Sequence, residues 1–230
     1  MQRFVDDGKF AGVLSLVWRR GEVAHVHKAG WMDLATRAPM RRDAIFRIYS
    51  MTKPIVSAAV MMLVEEGRLR LHDPVARWLP EAPGARVLRA FAAELDDTVP
   101  ALRPPNLYDL MLHAGGYAHY TGPDAPITRA VAEAVSVRMP FTPHAPDEYL
   151  KRVGALPLVL QPGERFHYGM STDLLGVVIA RASGQSLGDF LAERIFGPGH
   201  EGYRLHRPGG QGRAPRHRLS ARRRGQARGP

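Results

Sequence analysis

The sequence predicts an α+β protein on three observations. Two β-prone runs, 11–18 and 22–28, flank Arg19-Arg20-Gly21 and read as a hairpin near the N-terminus. Residues 55–64 are apolar on every side except Ser57, with Pro54 where a first helical turn tolerates it and Gly67 just beyond, so a helix buried all round is expected there. From Asn106 onward, helix start and stop signals recur, which makes the middle of the chain mostly helical.

Composition supports a packed domain. The 230 residues are 45% hydrophobic and 8% aromatic, ample for a core and too apolar for a disordered chain. No run approaches the roughly 18 apolar residues of a membrane span, and the first residues do not read as a signal peptide, so a cytoplasmic protein without membrane association is expected. With no cysteine, the chain has no disulfide framework, no Cys-ligated zinc or iron–sulfur cluster and no thiol nucleophile. The net charge of +10 is uneven: nine Arg and one Glu fall in 198–230, leaving 23 basic and 21 acidic residues before them. Residues 1–197 are therefore expected to form the domain, and the Arg-, Gly- and Pro-rich remainder a disordered basic tail.

Taken in order, 2–7 reads as a helix end, followed by the hairpin 11–28 and the helix 50–66 around the apolar run. Residues 73–79 suit a short amphipathic turn, and 80–105, rich in Pro and Ala, a long connection with one helix near 87–94. Asn106 can cap a helix over 107–113 that Gly115-Gly116 ends, with further helices over 127–137 and 148–153. Pro162-Gly163 marks a turn. Ser171 is expected to cap 172–182, which Gly184 ends, and Ser186 to cap 187–196. No internal repeat is visible, which excludes solenoids and propellers.

Chemistry enters at Ser50-Met51-Thr52-Lys53. On a helix, residues i and i+3 share a face, so the Lys53 amine can reach the Ser50 hydroxyl, and an apolar helix behind it would desolvate the ammonium toward a usable base. The same spacing also suits Ser50 as a helix cap and Lys53 as a snorkelling surface residue. Tyr168 follows the turn Gln161-Pro162-Gly163-Glu164 at a loop-to-helix junction, where a phenol can face a cleft and pass protons, or simply pack.

These residues lie in longer stretches that resemble a family. Asp43-Ala44-Ile45-Phe46-Arg47-Ile48-Tyr49-Ser50-Met51-Thr52-Lys53-Pro54, Val64-Glu65-Glu66-Gly67 and Leu71-His72-Asp73-Pro74-Val75 are similar to the nucleophile region of class C β-lactamases and family VIII carboxylesterases, within the serine β-lactamase-like and penicillin-binding superfamily. Asp109-Leu110-Met111-Leu112-His113-Ala114-Gly115-Gly116, Leu156-Pro157-Leu158 and Gln161-Pro162-Gly163-Glu164-Arg165-Phe166-His167-Tyr168 follow in the family's order, so the resemblance runs from about Phe4 to Pro198. It implies a β-lactamase/transpeptidase-like fold, an antiparallel sheet flanked by helices and joined to an all-helical region. It also implies acylation of Ser50, activation by Lys53 and Tyr168 without metal or organic cofactor, and an oxyanion held by two backbone N–H groups, one from Ser50. The substrate would be a small ester or, as the alternative the resemblance leaves open, a β-lactam or a D-Ala-D-Ala peptide.

Two departures refine that expectation. Class C β-lactamases usually read Tyr-x-Asn, whereas Tyr168-Gly169-Met170 is closer to the esterases and favours ester cleavage. After Pro198 the family normally continues with a Lys-Thr-Gly-like or Trp-x-Gly-like strand lining the cleft, and no such motif follows here, so the fold is expected to be incomplete at its C-terminus and impaired in activity. Read one nucleotide later, 198–205 can encode Leu-Gly-Met-Lys-Asp-Thr-Gly-Phe, which resembles the family, so the tail is compatible with an out-of-frame translation. Rival readings are weaker. Gly184-Gln185-Ser186-Leu187-Gly188 matches a nucleophile elbow but follows a helix end, so Ser186 with Asp189 reads as a cap. His25 and His27 share a strand face without a third metal ligand. Nucleic-acid binding through Arg204 to Arg228 lacks interleaved aromatics beyond Tyr203. For a non-catalytic relative, intact Ser50, Lys53 and Tyr168 argue against long-standing loss, while the absent C-terminal motif argues for it.

Overall fold

The computed structural model describes residues 1–82, 86–136 and 144–197. The expected tail at 198–230, with the arginines considered for nucleic-acid binding, lies outside them, as does Val137 at the expected end of one helix.

The chain forms two compact units, Met1–Thr52 and one beginning at Lys53. The first holds α1 (Gln2–Asp6) and an antiparallel sheet of β1 (Gly12–Arg19), β2 (Glu22–Asp33) and β3 (Ala38–Pro39), in the order β1-β2-β3. Arg19 pairs with Glu22, so the hairpin closes on Arg20 and Gly21, both at positive φ (52° and 82°), as a two-residue turn matched to strand twist requires. A bulge between Val17 and Trp18 shifts the register. β2 runs five residues beyond the expected strand because Gly30, at φ 72°, lets it pass close to Ala11 and continue to β3. Leu16, Val17 and Trp18 are exposed, and Ala29 and Met40 are the buried apolar residues of this unit.

The second unit carries the core. Its elements are α2 (Thr52–Glu65, whose first residue belongs to the first unit), β4 (Arg86–Leu88), β5 (Thr98–Pro100), α3 (Leu107–Met111), α4 (Pro126–Ala134), α5 (Pro146–Gly154), α6 (Ser171–Ser183) and α7 (Leu187–Leu191). Leu63, Leu107, Leu110, Ile127, Leu150, Leu174, Ile179 and Phe190 are fully buried in one contiguous cluster. Helix α2 buries Val56, Ala59, Val60 and Leu63, while Ala58 and Met61 are exposed. It is thus buried on one side only, correcting the all-round burial expected from its composition: an apolar sequence does not itself supply neighbours for every face.

Three further expectations differ from the structure. No helix forms near 87–94; Arg86, Val87 and Leu88 instead pair with Pro100, Val99 and Thr98, and Leu88 N–H donates to Leu158 O at 2.8 Å. The β-branched Val87 and Val99 and these cross-chain partners outweigh the local helix signal. Ser171 does not cap α6 but is its first residue, fully buried, with Met170 as N-cap and no partner for its hydroxyl among the described residues. The expected helix over 187–196 ends at Leu191 and continues as a π-helical turn, Ala192–Phe196. The Ser186 cap forms as expected, accepting from Asp189 N–H at 3.1 Å and donating to Asp189 Oδ2 at 2.7 Å.

One polar node is buried. Asn106 and Asp109 make a reciprocal capping box on α3, and the Asp109 carboxylate also receives both ends of the Arg103 guanidinium, at 2.6 and 2.8 Å. Asn106→Ala is expected to cost about 1 kcal/mol as a lost cap. Asp109→Ala should cost more, about 2–3 kcal/mol, because it also strands Arg103 and the Asn106 N–H. Urea denaturation of the two variants measures that order.

Candidate active site

Ser50 lies in the N-terminal unit, in the 3-10 turn Tyr49–Met51 that runs without a break into α2. Tyr49, immediately before it, has φ 43°, a left-handed conformation that a bulky residue adopts only under constraint. Lys53 follows in the first turn of α2 and opens the second unit.

Within the second unit, Lys53 and Tyr168 come together across 115 positions of sequence: Lys53 Nζ lies 4.7 Å from the centroid of the Tyr168 ring. Tyr168 stacks on His113 with centroids 4.9 Å apart and an interplanar angle of 17°, and the His119 ring tilts against it at 5.2 Å. His113 is buried, whereas Tyr168 is 37% exposed, so the phenol faces solvent over an imidazole floor.

Backbone contacts fix that floor. His113, just past the end of α3, has φ 52°; its carbonyl accepts from His167 N–H at 2.7 Å, and Ala114 O accepts from Gly163 N–H at 2.8 Å. Gly169 N–H donates to His113 Nδ1 at 3.4 Å, which assigns the proton to Nε2, 3.4 Å from Thr172 Oγ1. Residue 169 must be glycine, because a Cβ there would overlap the carbonyl of Tyr117.

Electrostatics keep the floor neutral. Burial is the main cause lowering the His113 pKa below the ordinary imidazole value, with the Lys53 and His119 charges acting the same way. Burial likewise lowers His119, against an opposing Thr121 hydrogen bond and Asp173, and lowers His167, with Arg165 adding to it. Asp173, in the first turn of α6, is reached by solvent, yet the protein around it raises its carboxyl pKa while Lys53 and His119 oppose the rise.

His113, His119 and Asp173 were not among the residues singled out as catalytic from sequence. The available signal was His113 at a helix end directly before Ala114-Gly115-Gly116; nothing local marks His119 or Asp173. His25 and His27 stack on one strand face at 6.5 Å, and no group of three or more metal-ligating side chains occurs among the described residues.

An antiparallel sheet in the first unit and a helical core in the second describe a fold of the β-lactamase/transpeptidase type. The chain belongs to the beta-lactamase family, whose model matches residues 1–230. It is 41% identical over 193 residues to protein Rv1367c of Mycobacterium tuberculosis, covering 84% of this chain and 47% of that protein. It is 34% identical over 182 residues to esterase EstB of Burkholderia gladioli, covering 78% and 43%. Among solved structures, EstCE1, described as a hydrolase with promiscuous acyltransferase activity, superposes with a TM-score of 0.70 at 27% identity, covering 86% of this chain and 49% of that one. The chain thus spans about half the length of the relatives it matches.

The depressed imidazoles give a signed prediction. The unfolded chain takes up these protons near pH 6.5 while the folded chain resists, so stability falls as pH drops through about 6.5 and levels off once the folded imidazoles titrate. Urea midpoints between neutral and mildly acidic pH should show this decline, and His113→Gln should make it shallower.

Proposed function

We propose that this chain carries the acyl-enzyme machinery of a serine hydrolase acting on small carboxylic esters. The observation that supports it most is the placing of Lys53 Nζ against the Tyr168 ring, with Ser50 one helical turn before Lys53 in sequence. Ser50 Oγ attacks the ester carbonyl and its proton passes to the Lys53–Tyr168 pair. Backbone N–H groups, that of Ser50 among them, take the charge of the tetrahedral oxyanion. Collapse breaks the ester bond, the leaving alcohol recovers the proton, and acyl-Ser50 remains. Water, deprotonated by the same pair, attacks the acyl group and releases the carboxylic acid, returning the proton to Ser50. The neutral His113 floor holds the phenol in place without competing for that proton.

Ester rather than β-lactam cleavage is favoured by Met170 at the third place of Tyr168-Gly169-Met170, and by likeness to proteins named esterase and hydrolase. The reading is tested by intact-mass analysis of the purified chain after exposure to p-nitrophenyl butyrate, a fluorophosphonate and a penicillin. A covalent adduct is expected from the first two, mapped to Ser50 and absent from Ser50→Ala. Lys53→Ala and Tyr168→Phe should each slow acylation by about 10²–10⁴-fold without unfolding the chain. A folded chain that gives no adduct, or one that acylates at another residue, would overturn the assignment; a penicillin adduct without an ester adduct would transfer it to β-lactam chemistry.

A further inference from the structure

Phe166 and Tyr168 both set their rings against His113, at 5.9 and 4.9 Å, while His167 between them turns the other way and meets Phe91 at 6.0 Å. On that reverse side is an open cavity of about 450 Å³ whose lining is shared between apolar residues, among them Phe91, Val99 and Leu160, and polar ones. Its lining includes neither Lys53, His113 nor Tyr168, so it is separate from the proposed active site. The walls are fixed by backbone: β4 pairs with β5, Leu158 N–H donates to Arg86 O at 2.9 Å, and Val159 N–H donates to Gly116 O at 2.8 Å. Its volume falls in the range of small-molecule sites, and its lining, divided about equally between polar and apolar surface, suits an amphiphilic ligand.

Those polar groups are cationic in balance. Arg89 and Arg165 line the cavity with Glu164 and His167, and guanidinium groups match a carboxylate by paired N–H donors. Among the described residues, the side chains of both arginines form exposed pairs, Arg89 with Asp97 at 3.2 Å and Arg165 with Glu164 at 3.8 Å. Such pairs hold weakly and yield to a better-placed anion.

We propose that this cavity binds a small carboxylic acid with an apolar aryl or branched alkyl body, the body against Phe91, Val99 and Leu160 and the carboxylate toward Arg89 and Arg165. The assignment stands on this cavity and does not depend on the ester reading.

The test titrates 4-phenylbutyrate into the full chain carrying isotope-labelled histidine, with the His167 resonance identified by its loss in His167→Gln. A saturable shift at His167 at up to millimolar ligand is expected, kept in Lys53→Ala and in Tyr168→Phe. Arg165→Glu, a surface change, should weaken binding about tenfold, and Val159→Trp should abolish it by filling the cavity. The proposal fails if the folded chain shows no saturable shift, if 4-phenyl-1-butanol binds equally well, if Arg165→Glu binds unchanged, or if Lys53→Ala abolishes the effect.

Discussion

Everything in the second unit that bears on chemistry depends on two stretches of backbone, 113–118 and 159–169, lying against each other without intervening side chains. Val159, Gly163 and His167 donate in turn to Gly116, Ala114 and His113. Such closeness is possible where no Cβ intervenes. A Cβ on Gly116 would strike the Leu160 carbonyl, and one on Gly169 the carbonyl of Tyr117. Those hydrogen bonds join a helix end to a loop distant in sequence, and Tyr168 is placed as a consequence.

The contact is anchored from below by Asp109. Its carboxylate caps α3 and fixes Arg103, and a Cβ on Gly163 would collide with that guanidinium, so the Pro162-Gly163 turn sits directly on the node. A buried charge of this kind is tolerated because every oxygen is occupied. The result is a rigid shelf on which His113 is held at a left-handed φ and presents a neutral ring to the phenol. One short segment then serves two sides: Phe166 and Tyr168 toward Lys53 and His113, and His167 toward the cavity behind.

Much of this was legible in the sequence because it is local. Arg20-Gly21 specifies a tight hairpin, Asn106 and Asp109 specify a cap, and Gly184 ends α6 at φ 74°. Ser50 and Lys53 are legible for the same reason, since their spacing falls within one helical turn. Local signals mislead where a distant partner wins. Residues 86–88 pair with 98–100 and with Leu158, and Ser171 is drawn into the core as the first residue of its helix.

By itself the sequence determined the α+β class and the family resemblance and singled out Ser50, Lys53 and Tyr168 as candidates, because each rests on short-range pattern or contiguous motif. Only the tertiary structure decided which side of α2 is buried, that Lys53 meets Tyr168, that His113 is its neutral floor and His119 its neighbour, and that a cavity opens behind His167. These depend on segments far apart in sequence, whose meeting is set by close backbone approach and core burial that no local pattern encodes.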